Sequence, residues 1–138
     1  MERIATFGVF DILHPGHIKF LKKCKKLAKN SELIVVIARD TSVIEDKGRK
    51  PTIPEEHRRY IVESLKHVDR AILGKEGSDK LKIVEEIKPD IIVLGYDQTW
   101  DEKDLERKLQ ERGLKIRVMR LKKYGETNST SIKKKMKI

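Results

Sequence analysis

Two imidazoles three positions apart, His14 and His17, flank Pro15-Gly16 in the stretch GVFDILHPGH, Gly8 to His17. An apolar run precedes the pair and a helical pattern follows it, so the histidines stand where a strand hands over to a helix. Backbone N–H groups at the first turn of a helix point outward with the positive end of its dipole and form an anion site. Side chains at i and i+3 share one side of that turn, and Gly8 and Gly16 let backbone pass close to a ligand. Two imidazoles at an anion site suit phosphate chemistry, where a protein mostly positions groups and stabilises charge. The rivals are a structural histidine pair and a zinc site. Zinc asks for further ligands close by, and His57, His67 and Cys24 are the candidates.

The elements that must hold this stretch alternate. Arg3 to Phe10 is a β-like apolar run, and His17 to Lys29 places Ile18, Leu21, Cys24 and Leu27 at helical spacing. ELIVVIA, Glu32 to Ala38, and DIIVL, Asp90 to Leu94, are almost wholly apolar, as strands buried on both faces of a parallel sheet are. Arg70 to Leu73 and Lys115 to Arg120 complete five strands. Between them, Arg39 to Ile53 is polar, contains KGRKP, and reads as a mobile loop. Pro54 to Leu65 opens with proline and two acids as a helix does. Ser78 or Asp79 can cap a helix that Pro89 stops, Glu102 to Arg112 is a charged helix closed by Gly113, and Ser129 or Ser131 can cap a last one. This alternation predicts an α/β fold: one Rossmann-like domain over residues 1–138, with a parallel five-stranded sheet sandwiched by helices. Ligands of such sheets bind at strand carboxyl ends. HPGH, GYDQ (Gly95 to Gln98) and NSTS (Asn128 to Ser131) all follow strands and should meet at that edge.

Composition narrows the partners. A chain of 138 residues is long enough for its own core. Its single cysteine excludes an internal disulfide and fits a reducing, cytoplasmic setting. No apolar stretch approaches the roughly 20 residues of a membrane span, and Met1-Glu2-Arg3 leads straight into a strand-like run, so neither membrane insertion nor a signal peptide is expected. The net charge of +10 attracts anions, whether nucleic acid, membrane or small polyphosphates. Lys22, Lys23, Lys25, Lys26 and Lys29, and again Lys133, Lys134, Lys135 and Lys137, read mainly as a solvated helix face and a tail. A basic RNA-binding module without catalysis is the competing class. Aromatics at 5% leave no visible stacking platform, which argues against nucleic acid as a partner.

GVFDILHPGH resembles the H-x-G-H signature of the cytidylyltransferase-like nucleotidyltransferases. EEHRRYIVESLKHVD resembles the second helix of that family, with Arg58 in its arginine position. IIVLGYDQ resembles its fourth strand and following turn, and STSIK the Ser-Thr-rich start of its last helix. Within the family, ARDTSVIEDKGRKPTIPEEHRR and IKPDIIVLGYDQT are similar to archaeal FAD synthases; glycerol-3-phosphate cytidylyltransferases come next. The chain lacks the C-terminal cysteines of some archaeal FAD synthases. It also lacks the arginine that the glycerol-phosphate enzymes carry before the Ser-Thr motif, for which Arg120, Lys122 or Lys123 would stand in.

The resemblance implies attack by a substrate phosphate on the α-phosphorus of a nucleoside triphosphate, expelling pyrophosphate. In the FAD synthases the nucleophile is the phosphate of FMN and the donor is ATP, with CTP as the alternative. The cytidylyltransferase alternative takes glycerol 3-phosphate or a sugar phosphate. By resemblance His14 and His17 meet the triphosphate and the transition state, and Arg58 reaches the phosphates. Val9 and Phe10 offer backbone to the nucleotide, and Pro15 and Gly16 shape the approach. Asp97 contacts the nucleoside or helps hold a metal, Tyr124 lies near the base, and Ser129 and Thr130 donate to the β- and γ-phosphates. Lys47 and Lys50, in the glycine-containing loop, are the cations of an expected lid. Mg²⁺ or another divalent ion is implied by the triphosphate; Asp11 either orients a water on it or caps the HPGH turn. Short domains of this family often pair, so a homodimer is the expected assembly.

Overall fold

The structure is a computed structural model that describes residues 1–96 and 98–122. In chain order the elements are β1 (Glu2–Gly8), α1 (Pro15–Lys25), β2 (Ser31–Ile37), α2 (Asp40–Lys47), α3 (Glu55–Glu63), β3 (Arg70–Leu73), α4 (Lys82–Ile87), β4 (Ile91–Leu94), α5 (Glu102–Glu111) and β5 (Arg117–Arg120). The expected five strands form one wholly parallel sheet in the order β3-β2-β1-β4-β5. The chain winds outward from β1 in one direction and from β4 in the other, so the switch point lies between their carboxyl ends, where an open sheet leaves a crevice.

Strand alternation divides the core into two layers. Ile4, Leu33, Val35, Ile37, Ile91 and Val93 face Leu21 and Cys24 of α1 and Val62 of α3. Ala5, Ile34, Val36, Ile92 and Leu94 face Ile83, Val84 and Ile87 of α4 and Leu105 and Leu109 of α5. Because both faces are covered, the strands read as continuous apolar runs. At the amino edge the same strands are tied by Asp90, which accepts from the Arg3 amide at 2.7 Å. Asp69 there accepts from the Leu33 amide at 2.7 Å and from Lys25 at 2.6 Å.

One segment departs from expectation. Residues 39–53, read as a mobile loop, contain the helix α2, closed by Gly48 at φ 73°. Its sequence DTSVIEDK buries only Val43, so no apolar periodicity announces it.

The chain leaves β1 through a tight turn. Phe10 has φ 50°, in the left-handed region that a bulky side chain rarely adopts, and its ring is 7% exposed. That ring lies across Gly8, where a Cβ would sit 2.5 Å from Phe10 Cε2. Gly8 therefore makes room for an internal side chain. Gly8→Ala is expected to lower stability by about 1–3 kcal/mol, the usual cost of overpacking. Urea unfolding would check this, with an unchanged midpoint counting against it.

Candidate active site

The HPGH stretch forms the first turn of α1. His14 is the N-cap, and Pro15 starts the helix without needing an N–H there. His14 Nδ1 accepts from the Gly16 amide at 3.0 Å, and His17 Nδ1 accepts from the His14 amide at 3.3 Å, a reciprocal cap made of two imidazoles. The rings lie 3.9 Å apart, and His17 also packs against Phe10 at 5.5 Å. A ring that accepts at Nδ1 is neutral and carries its proton on Nε2. Burial lowers the pKa of His14, which favours that neutral form. The geometry thus gives two N–H donors beside a helix N-terminus, an arrangement suited to a polyanion.

The loop before the histidines is anchored from below. Arg58, on α3, is 0% exposed: its Nε donates to the Ile53 carbonyl at 2.8 Å, its Nη1 to the Val9 carbonyl at 2.8 Å and its Nη2 to Asp40 Oδ1 at 2.6 Å. Arg58, expected by resemblance at the phosphates, lies enclosed beneath the loop, and of the Val9 backbone expected at the nucleotide the carbonyl accepts from it. Asp11 accepts from the Thr52 and Ile53 amides, each at 2.8 Å. Burial would raise its pKa, but those two amides and the charge of Arg58 outweigh it and hold the carboxyl below its usual range. Both Asp11 oxygens staple the segment before α3 to the loop after β1. No group of three or more His, Cys, Asp or Glu side chains able to hold a metal occurs among the described residues. Cys24 is buried, its thiol pushed up to about 12 by desolvation, as suits a packing residue of the core.

On the other side of β1 lies a cavity of about 160 Å³. Phe7, Val36, Ile83, Val84, Leu94 and Trp100 give it apolar walls, and Arg39, Ser42, Lys75, Lys80 and Gln98 also line it. Gly8 belongs to its wall while packing against Phe10 on the histidine side, so the two regions adjoin across the end of β1. Two residues named in the sequence only within a motif or as a stand-in shape this edge. Gln98 spans the switch-point crevice, accepting from the Gly95 amide at 2.8 Å and donating to the Phe7 carbonyl at 2.9 Å. Arg120, at the end of β5, donates to the carbonyls of Gly95, Gln98 and Trp100 and pairs with Glu102, shaping the loop before α5.

A family model described as cytidylyltransferase-like matches residues 5–135. The chain belongs to that family. It is 52% identical over 134 residues to the FAD synthase of Aciduliprofundum boonei, covering 97% of this chain and 87% of that one. It is 49% identical over 138 residues to the FAD synthase of Thermoplasma volcanium, covering 99% and 94%. A crystal structure described as the lipopolysaccharide core biosynthesis protein of Thermoplasma volcanium superposes with a TM-score of 0.84 at 49% identity, covering 91% of this chain and 99% of that one.

In this cytidylyltransferase-like chain the first-turn histidines and Pro15-Gly16 come together as expected, with Phe10 beside them. Lys47 ends α2 and Lys50 follows its Gly48 cap; both are exposed. Asp97, Tyr124, Ser129 and Thr130 lie outside the described residues. No described helix is long and apolar enough to cross a membrane.

The histidine cap has a pH signature. His14 binds its proton more weakly folded than unfolded, so its contribution is complete above the unfolded value of about 6.5 and is lost as pH falls through the lower folded value. His67 is shifted the same way, chiefly by desolvation and then by nearby lysines, so the comparison must be between variants. His14→Ala should flatten part of the fall in stability below about pH 6.5, seen as converging urea midpoints. Parallel curves would show that the cap does not titrate.

Proposed function

We infer that the chain is a nucleotidyltransferase of FAD synthase type, joining AMP from ATP to FMN with release of pyrophosphate. The observation that carries this is the pairing of two unlike regions across Gly8: the two-imidazole cap at the first turn of α1, which suits a polyphosphate, and a largely apolar cavity that receives part of the acceptor. Two FAD synthases about half identical over nearly the whole chain support it. The single free thiol, inert by burial, accords with a cytoplasmic enzyme.

In this reading an ionised oxygen of the FMN phosphate attacks the α-phosphorus of ATP. The bond from that phosphorus to the bridging oxygen breaks, and pyrophosphate leaves with the electron pair. The nucleophile is already charged, so the site needs no strong base. His14 and His17 donate from Nε2 to charge that grows on the phosphoryl oxygens, a kind of stabilisation worth on the order of 10²–10³ in rate per donor. A divalent ion accompanies the triphosphate, with Asp97 proposed to help hold it. Asp97, Tyr124, Ser129 and Thr130 are proposed for the nucleoside and the outer phosphates, and Lys47 and Lys50 for closure over them. The flavin ring enters at the mouth of the cavity beside Trp100; a cavity of about 160 Å³ holds part of FMN and not the whole.

A second reading has one observation behind it. The similar Thermoplasma volcanium structure is described as a lipopolysaccharide core biosynthesis protein, which fits a sugar-phosphate acceptor with CTP. The apolar walls of the cavity favour the flavin.

Purified protein with Mg²⁺ should convert FMN and ATP to FAD with stoichiometric pyrophosphate, resolved by chromatography. Turnover of CTP with glycerol 3-phosphate or a sugar phosphate, with FMN ignored, would establish the second reading. His14→Ala and His17→Ala should each lower kcat at least about 10²-fold in folded protein. Trp100→Ala should raise the KM for FMN at least about threefold, from a lost stacking contact, and leave that for ATP unchanged. Lys47→Ala and Lys50→Ala should do the reverse, with stability changed by less than about 0.5 kcal/mol. Equal loss of stability and activity would make those lysines structural.

A further inference from the structure

We propose that Arg58 is a positioning residue rather than a phosphate ligand, that Asp40 is its partner in that task, and that their pair links the wall of the cavity to the segment carrying the histidines. The proposal rests on the two-region reading above. The guanidinium is 0% exposed and each of its three nitrogens donates to a protein acceptor, so a phosphate reaches it only if the loop after β1 lifts away. From Asp40 the contacts run on. Asp40 Oδ2 accepts from the Glu55 amide at 3.3 Å, and Glu55 Oε1 accepts from the Asp40 amide at 2.8 Å. Glu55 Oε2 pairs with Arg39 at 3.0 Å, and Arg39 Nε donates to the Gly74 carbonyl at 2.8 Å. Arg39 and Gly74 line the cavity, while Val9, at the other end, precedes the strained Phe10 and the histidine cap.

An enclosed charge whose partner is removed is strongly unfavourable, so Asp40, Arg58 and the Val9 carbonyl cannot choose positions independently. The placement of the histidines relative to the cavity is then fixed by this chain of contacts. Phosphoryl transfer is sensitive to such placement: about 1 Å of error costs on the order of 10² in rate.

The test compares Asp40→Asn, Arg58→Met and the charge-free pair Asp40→Leu with Arg58→Met, each assayed where it is fully folded. The charge-free pair keeps the fold available, since apolar replacement of both members leaves no orphaned charge. Expected for all three is a fall in kcat of at least about tenfold, with affinity for a non-hydrolysable ATP analogue held within about threefold by calorimetry. Amide hydrogen exchange at residues 9–14 should quicken while the β1 and β2 amides stay protected. Loss of analogue affinity in Arg58→Met with a neutral Asp40→Asn would make Arg58 a phosphate ligand and overturn the proposal. Unchanged kcat per folded molecule, or unchanged exchange at residues 9–14, would overturn it as well. The exchange comparison does not depend on the acceptor, so a wild type that makes no FAD would sink the functional reading and leave this one to be decided on its own.

Discussion

A side chain such as Phe10 does not take a left-handed backbone without compensation; such residues carry about 1–3 kcal/mol of strain and persist where their surroundings over-determine them. Here the compensation is burial of the ring over Gly8, on the α1 side of the sheet. That turn sends the chain from the end of β1 to the start of α1 within a few residues. Everything at the carboxyl edge follows from it. The His17 ring packs on Phe10, the His14 cap closes on Gly16, and Asp11 reaches the Thr52 and Ile53 amides. The strain sits at the point where the histidine site and the cavity adjoin, and the enclosed Arg58 holds the carbonyl just before it.

The strands and the histidine site were legible because both are local. A strand buried on two faces writes its burial into consecutive residues, and β1 to β5 fall close to where the apolar runs stand. The cap between His14 and His17 is an i, i+3 relation, so residue types and spacing suffice to see it. What was not legible depends on partners far along the chain. Arg58 reads as an arginine reaching for phosphates until the loop after β1, 49 positions away, is laid over it. Gln98 looks like a turn residue until its amide is found on the Phe7 carbonyl, 91 positions away. Helix α2 escaped for the opposite reason: with only Val43 buried, it owes its place to its ends, where Asp40 meets Arg58 and Gly48 supplies the left-handed cap.

The net charge of +10 is unevenly spent. Arg59 and Arg107 are paired with acids on their own helices and Arg112 with Asp79 and Glu85, and they add little beyond solubility at such positions. The cations around the cavity, Arg39, Lys75 and Lys80, are paired with acids too, so it is the summed positive field of the chain that acts on a ligand. For anionic substrates that field raises the encounter rate, an effect that weakens as salt shortens the Debye length to about 8 Å at physiological strength.

Cys24 gives the molecule an internal reporter. It is the sole cysteine, it is 0% exposed, and it sits on α1 two turns beyond the histidines. Burial pushes its thiol up and closes it to solvent, so thiol reagents meet it through opening of the α1 layer. In the regime where reclosing outruns reaction, the labelling rate measures the free energy of that opening, without any introduced probe. A ligand that bridges the first turn of α1 to the sheet holds this layer shut, so protection of one sulfur atom becomes a direct reading of occupancy at the other end of the helix.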